Sequence, residues 1–282
     1  MTEVLLQTLV NGVLWGCIYA LIALGLTIIF GVMDITNFAH GDFLMVSMFL
    51  AYIFSHYFGL SPLAAMPLIL LCLFFFGVVN YKILIKRVLT APPIAQIFAT
   101  FGLMVFLRGV AQFLFGADFR TIANVSVSGR LDLGGLFIST PQLAAVMFAA
   151  VYWFIAKTRT GWALMAVAEN KNAATLMGIN ADRMFALAWG IGSICVGVAG
   201  VLLANFYYVY PEVGAVFCFL AFVTVALGGF GSIAGAFYAG LIIGLVEAFA
   251  GVLLAPSLKY VVVFSIYLIV VIFRPRGLLG NP

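Results

Sequence analysis

Nine apolar segments of about 20 residues each limit what this chain can fold into more than any other feature. They span residues 4–30, 42–58, 62–81, 94–116, 141–156, 184–204, 214–230, 235–254 and 258–273. A helix needs about 20 apolar residues to cross a bilayer, and lipid offers no partners for unpaired backbone groups. The sequence therefore predicts an all-α, polytopic membrane helix bundle of about nine spans, within a range of eight to ten.

The composition excludes a soluble protein. Of the 282 residues, 66% are hydrophobic and 8% are charged, whereas soluble domains carry roughly 25% charged residues. The mostly polar stretches at 117–140 and 157–183 are each too short to build a core. We therefore expect a single transmembrane domain over residues 1–282. The net charge of +4 comes from basic residues at the ends of the spans and predicts no nucleic-acid partner.

Basic residues cluster in three of the short connections, and such clusters mark the cytoplasmic side. The three groups are Lys82, Lys86 and Arg87; Lys157, Arg159, Lys171 and Arg183; and Arg274 and Arg276. With nine spans, the C-terminus is then cytoplasmic and the N-terminus lies outside. A break within the membrane at residues 31–41, in place of a loop, would change the side of the N-terminus.

The connection between residues 157 and 183 predicts a helix outside the bilayer. Residues 162–177 are rich in strong helix formers, and Gly178 suits the left-handed position just past a helix end. The helix is too polar to span and carries one apolar face. The pattern leaves two interpretations open: the face docks on a partner protein, or it lies in the lipid headgroup layer.

The segment 31–42 places Asp34, Asn37 and His40 between two apolar segments. Polar groups at membrane depth are tolerated where they line a cavity. One interpretation is therefore a broken helix or re-entrant turn beside a translocation path. The other is an interfacial loop whose Asp and Asn side chains cap helix ends.

Two charged residues, Arg108 and Glu247, lie inside apolar segments. Ionisable residues within a span are costly, so they are usually paired or functional. Both residues fall at a similar depth in the predicted topology, and we therefore predict that they form an ion pair. The alternative is that each side chain reaches water on its own.

Small residues four apart, such as Gly240 and Gly244, predict close helix packing. No phosphate-binding loop, HExxH or GxSxG motif occurs in the chain. We therefore predict that the protein is not an enzyme, and that it has no catalytic residues, no metal site and no cofactor site of its own.

Four motifs together resemble the branched-chain amino acid permeases of ATP-binding-cassette (ABC) importers, and most closely the first of their two permease subunits. They are NFAHG at 37–41, AVAENKNAATLMGI at 166–179, LGGFGSIAGA at 227–236 and FRPRGL at 273–278. The second resembles the family's coupling loop, in which a Glu, two Ala and a Gly correspond to Glu169, Ala173, Ala174 and Gly178. The alanine pair stands further from the Glu than in the wider importer pattern.

The resemblance implies the partners and the setting. The partners are a second homologous permease, two cytosolic ATPase subunits that bind the ATP and dock on the coupling helix, and a substrate-binding protein. The setting is the bacterial inner membrane. The implied substrates are leucine, isoleucine and valine, with urea, short amides or other amino acids as the alternative.

A stand-alone secondary transporter or channel is the alternative of another class. It would need an ion-coupling site, usually at paired broken helices. Only residues 31–42 match that pattern, together with a weaker candidate at 228–235.

Overall fold

A computed structural model describes residues 2–122, 131–132, 137–138 and 142–280. Much of the stretch 117–140, and residue 141 of the predicted fifth span, lie outside the described residues. The helices are α1 Thr2–Met33, α2 His40–Phe58, α3 Pro62–Asn80, a π-helical turn Tyr81–Ile85, α4 Lys86–Val88, α5 Pro93–Phe115, α6 Gln142–Lys157, α7 Arg159–Glu169, α8 Lys171–Leu176, α9 Ala181–Leu203, α10 Val213–Gly228, α11 Ile233–Leu253 and α12 Lys259–Phe273. Two strands, β1 Leu131–Asp132 and β2 Phe137–Ile138, pair antiparallel with Leu131 opposite Ile138.

The predicted all-α membrane bundle is confirmed, but nine spans are not. Each of the nine apolar segments is helical, yet only six helices in the described part are long and apolar enough to cross a membrane. The shorter apolar helices are Val213–Gly228, Lys259–Phe273 and Met147–Lys157, which is the part of α6 whose side chains are described. At 1.5 Å per residue, the 16-residue α10 reaches only about 24 Å. The segment 214–230 ends in a turn, in which Gly229 and Gly231 have positive φ angles of 105° and 79°.

Helix α1 forms the centre of the bundle. It packs against α6, α9, α10 and α11. In its most apolar 18 residues, 78% of the residues are buried, whereas the corresponding share in α5 is 22%. A helix that is apolar on every face is suited to such a position. The outer helices α3 and α5 expose large apolar side chains, as expected for surfaces that meet lipid or a membrane partner.

The close helix packing predicted from small residues is confirmed between α1 and α11. A Cβ on Gly240 would lie 2.6 Å from the Cα of Ala20, and one on Gly244 would lie 2.4 Å from the Cα of Gly16. Both distances are shorter than any real Cβ contact, so the two backbones approach this closely only because these positions lack side chains.

The helices α7 and α8 form an elbow, residues 159–178, at one end of the bundle. We call this end the elbow end. Helix α1 ends beside the elbow, so its first residue lies at the opposite end. Lys86, beyond the π-helical turn, pairs with Asp182 at the start of α9, with 2.8 Å between Nζ and Oδ2.

All three groups of basic residues lie at the elbow end. The Lys86–Asp182 pair joins the first two groups. The third group directly follows α12, and the backbone N–H groups of Leu278 and Leu279 donate to the carbonyls of Leu227 and Gly228 at the end of α10. The predicted clustering of basic residues on one side of the bundle is therefore present in the fold.

Candidate functional site

The elbow consists of two helices, so the prediction of one helix over residues 162–177 is wrong. Helix α7 ends at Glu169 and α8 begins at Lys171. Between them Asn170 is extended (φ −154°, ψ 101°), and its Oδ1 accepts a hydrogen bond of 3.0 Å from the N–H of Ala173. Asn is among the best N-cap residues, and here it starts a new helix instead of continuing the old one.

Gly178 ends the elbow in the left-handed conformation that the sequence predicts, with φ of 84°. Its N–H donates to the Thr175 carbonyl, and the N–H of Ile179 donates to the Ala174 carbonyl, both at 3.0 Å. This pair of bonds is the Schellman motif, which satisfies the last carbonyls of a helix. A Cβ at Gly178 would meet nothing within 4 Å, so the backbone angle and not lack of space favours glycine.

The tip of the elbow exposes two large apolar side chains. Leu176 is 88% exposed and Met177 is 83% exposed. Glu169, Ala173 and Gly178 are also exposed. The structure therefore brings three of the four predicted coupling residues to the surface near an apolar tip.

The fourth predicted coupling residue, Ala174, is only 4% exposed, because it faces the bundle. The base of the elbow is packed against α6 and α9. A Cβ on Gly161 would lie 2.2 Å from the Ile155 carbonyl oxygen of α6, and Trp162 Nε1 donates to the Ala156 carbonyl at 2.8 Å. These contacts anchor the base of the elbow on the bundle.

An open cavity of about 860 Å³ lies between the elbow, the end of α1 and the turn from α10 to α11. Its walls include Thr27, Asp34, Trp162, Glu169, Phe230 and Ser232. The volume is in the range of ligand pockets. Two carboxylates, from Asp34 and Glu169, belong to this wall.

The connection from α1 to α2 folds back into the bundle. His40, the first residue of α2, is fully buried, and its Nε2 lies 2.9 Å from the Ile22 carbonyl oxygen. Because a carbonyl only accepts, Nε2 is the donor. Counting along α1, Ile22 lies about 16 Å before Met33. Helix α2 therefore begins beside the middle of α1, as expected for a broken helix and not for an interfacial loop.

The three polar residues of this break have different surroundings. Asp34 is exposed, has φ of 57° and borders the 860 Å³ cavity. Asn37 is fully buried, and its Oδ1 accepts from the N–H of Ala39 at 3.1 Å. Asn37 Nδ2 and His40 Nδ1 are buried and have no hydrogen-bond partner among the described residues. Unsatisfied buried polar groups of this kind are rare in native proteins.

The first turns of α2 and α10 meet inside the bundle. A Cβ on Gly41 would lie 2.0 Å from the Gly214 carbonyl oxygen, and Cys218 Sγ donates to the Phe38 carbonyl at 3.3 Å. The first turns of α2 and α10 therefore face each other near the middle of α1. This arrangement positions the NFAHG segment at the centre of the bundle.

The predicted ion pair between Arg108 and Glu247 is wrong. Arg108 Nε lies 2.7 Å from Oδ1 of Asp42, a fully buried residue in the first turn of α2. Glu247 Oε1 lies 2.6 Å from Lys259 Nζ, and its Oε2 accepts from the Tyr19 hydroxyl at 2.5 Å. Depth along the membrane does not give lateral position: α5 packs against α2, whereas α11 packs against α1, α10 and α12.

Comparison with known proteins gives one family. The model for "Branched-chain amino acid transport system / permease component" matches residues 8–272. The high-affinity branched-chain amino acid transport system permease proteins BraD of Pseudomonas aeruginosa and LivH of Escherichia coli K12 are each 33% identical to this chain, over 98% of it and 96% of their own length.

The chain belongs to this permease family. A probable branched-chain amino acid transport permease LivH of Methanocaldococcus jannaschii is 28% identical over 96% of this chain and 91% of its own. No solved structure matches the chain. The family is one of transport permeases. Together with the six long apolar helices among the described residues, this makes the chain a multi-pass membrane protein.

Sequence reasoning about the permease missed the true partners of its intramembrane charges. In the sequence Asp42 is only the end of the polar segment 31–42, and Lys259 only the start of an apolar span. One signal was available for Lys259: it follows Glu247 by 12 residues across a short turn, which allows two consecutive helices to bring them together. No comparable signal joins Arg108 to Asp42, which are 66 residues apart.

Proposed function

We propose that this permease is the membrane subunit of an ABC importer that moves branched-chain amino acids into the cell across the inner membrane. Two cytosolic ATPase subunits bind and hydrolyse the ATP, so the permease itself is not an enzyme and holds no cofactor. A second homologous permease completes the pore, and a substrate-binding protein delivers the substrate. The names of the relatives support the substrate class and the role of transport-system component.

One observation carries the proposal: the elbow presents an apolar tip that the described part of the chain leaves uncovered. Leu176 is the last residue of the capped helix α8 and Met177 follows it, and both side chains are exposed. An apolar helix surface of this kind suits a groove on a partner protein. The ATPase subunits are the proposed partner, with Glu169, Ala173 and Gly178 at the rim of the contact.

The topology proposed for the membrane places the elbow end in the cytoplasm. All three groups of basic residues lie at that end, as the positive-inside rule requires. The C-terminus is then cytoplasmic. The N-terminus stays external despite the break at residues 31–41, because α1 runs to the elbow end before the chain folds back into α2. In this topology α6, α10 and α12 are short additional crossings, which raises the six long helices to the nine spans predicted from the sequence.

The proposed translocation path passes the break between α1 and α2. Asp34 borders the cavity at the elbow end, and the unsatisfied polar atoms of Asn37 and His40 lie deeper in the bundle. Buried polar groups without partners are suited to a state in which water or substrate reaches them. In the proposed cycle the pore opens either to the outside or to the cytoplasm. ATP binding shifts the balance between these two states, through the elbow, only if it favours one of them.

Reconstitution into lipid vesicles tests the proposed function. Vesicles that contain both permeases, both ATPase subunits and the external binding protein should accumulate radiolabelled leucine when ATP is enclosed. Uptake should continue after ionophores collapse the ion gradients. Uptake by this permease alone, or uptake that stops with the ionophores, would indicate a secondary transporter or channel. Uptake of urea or a short amide without leucine uptake would indicate the alternative substrates.

Replacing Gly178 with valine should uncouple ATP hydrolysis from uptake while leaving the membrane bundle folded. A β-branched residue is strongly disfavoured at φ near 84°, so the end of α8 must rearrange beside the tip. We expect uptake to fall about tenfold, which corresponds to about 1.4 kcal/mol. Uptake and ATPase activity should be measured in the same vesicles.

Two controls separate conformation from bulk at Gly178. Gly178→Asn should retain most of the uptake, because Asn tolerates the left-handed region. Gly102→Val adds the same side chain at another glycine whose Cβ would meet nothing within 4 Å, and it should transport normally. Normal uptake by Gly178→Val would show that the conformation at this position is not needed for coupling.

A further inference from the structure

A second cavity lies in the half of the bundle away from the elbow. Its volume is about 290 Å³, and its walls come from α1, α10, α11, the start of α12 and the segment after α9. The side chains that define it are Asn11, Trp15, Tyr19, Tyr207, Glu247 and Lys259. Glu247 and Lys259 belong to the ion pair that the sequence did not predict.

The cavity presents one negative and one positive group side by side. The Glu247 carboxylate accepts from Lys259 and from Tyr19, and each of its oxygens keeps a further lone pair. The Lys259 ammonium has three donors, and one of them is used on Glu247. Both groups can therefore form charge-assisted hydrogen bonds with a ligand. Because Glu247 and Lys259 pair with each other, neither side chain is an uncompensated charge in the cavity.

The remaining walls are mainly aromatic and aliphatic. The Trp15 ring packs 5.8 Å from the Tyr19 ring, and the Tyr207 ring packs 5.6 Å from the Phe217 ring. Leu220 and Val252 complete the apolar side. The volume is at the lower limit of ligand pockets, so it suits a small molecule with a compact apolar part.

We propose that this cavity is an intramembrane binding site for a zwitterionic α-amino acid with an apolar side chain. The α-ammonium group binds Glu247, the α-carboxylate binds Lys259, and the side chain lies against Trp15 and Tyr207. The inference rests on the proposed function, which supplies the substrate class. It adds a site within the permease that binds the substrate after the binding protein has released it. A preorganised pair of charges reduces the ordering that binding requires.

A glycine in the cavity wall allows a test that leaves the charges in place. Gly251 lines the cavity, and a Cβ there would meet nothing within 4 Å. Gly251→Leu therefore adds side-chain volume at the cavity wall, and its Cβ displaces no neighbour. Gly102→Leu is the matched control, because Gly102 lies in a helix outside the cavity and its Cβ is also free of contacts.

The measurement is equilibrium binding of radiolabelled L-leucine to the assembled transporter in nanodiscs, without the binding protein and without ATP. We expect saturable binding that Gly251→Leu weakens at least about tenfold and Gly102→Leu leaves unchanged. Unlabelled L-leucine should compete at least about tenfold better than 4-methylpentanoate, which lacks the ammonium group, or 3-methylbutylamine, which lacks the carboxylate. Tenfold corresponds to about 1.4 kcal/mol for each lost charged contact.

Three results would overturn the inference. They are no saturable binding of L-leucine, equal binding by Gly251→Leu and Gly102→Leu, and competition by the two singly charged analogues that equals that of L-leucine. ATP-driven leucine uptake by the same complex is measured in parallel. Normal uptake together with any of these results rejects the cavity and leaves the proposed function standing. Absence of leucine uptake by the wild-type complex rejects the proposed function, and the inference fails with it.

Discussion

Replacing Leu176 and Met177 together with aspartate is expected to abolish ATP-driven uptake without unfolding the membrane bundle. Both side chains are more than four-fifths exposed, so the folded chain loses almost no packing. In the proposed complex they enter an apolar groove of the ATPase, where two carboxylates would be buried without partners. Loss of one interface anchor alone costs about 2 kcal/mol or more, so we expect uptake to fall by at least about thirtyfold.

The double exchange Leu176→Met with Met177→Leu provides the matched control, because it keeps the tip apolar and of similar size. We expect near-normal uptake from it. Size-exclusion chromatography in detergent should show the same monodisperse permease for both double variants, and co-purification should show ATPase subunits only with the conservative one. Retained ATPase binding and uptake by the aspartate variant would place the docking surface elsewhere.

Replacing Asp42 with asparagine is expected to destabilise the membrane bundle strongly. Asp42 is fully buried, and its carboxylate is 2.7 Å from Arg108, whose side chain is 23% exposed. The substitution leaves the guanidinium without its counter-charge inside the bundle. Breaking a buried pair in this way costs about 3–5 kcal/mol. The apparent unfolding temperature in detergent should therefore fall well below that of the wild type.

Two further variants separate the charge from the packing at this pair. Asp42→Asn combined with Arg108→Gln should be more stable than Asp42→Asn alone, because neither residue then carries an unpaired charge. Lys86→Gln removes one partner of the Lys86–Asp182 pair, in which both side chains are about half exposed. Such surface pairs contribute only about 0–1 kcal/mol, so its unfolding temperature should change little. Wild-type stability in Asp42→Asn would contradict the structural role of the pair.

The two ends of α1 have different tasks in the proposed transport cycle. Its last turns border the 860 Å³ cavity beside the elbow, and its first half borders the 290 Å³ cavity with Glu247 and Lys259. Between them α1 is held against α9 and α11 at glycines, including Gly25 beside Gly192 and His40. In the proposed transport cycle, the helices packed along this seam must move apart for a substrate to pass between them.

Sequence patterns alone predicted the features that follow from local physical chemistry. Apolar segments predicted helices because lipid allows few other backbone structures. Gly178 was recognised because a single positive φ favours glycine wherever it occurs. The small residues Gly240 and Gly244 predicted a close helix contact, although not which helix they would contact. The polar segment around Asn37 and His40 stood out because such residues are rare between two apolar runs.

Only the tertiary structure decided which residues meet across the bundle. Arg108 and Glu247 share a depth in the predicted topology, but depth is only one of three coordinates. Because α5 packs on α2, Arg108 pairs with Asp42. Because a short turn joins α11 to α12, Glu247 pairs with Lys259. The apolar segments 141–156, 214–230 and 258–273 are only 16 or 17 residues long. Six helices among the described residues, and not nine, are therefore long enough to cross a membrane. The sequence determines the helices and their capping residues, because these depend on neighbours along the chain. The Arg108–Asp42 pair and both cavities depend on contacts between helices that are distant in the sequence, which only the folded bundle defines.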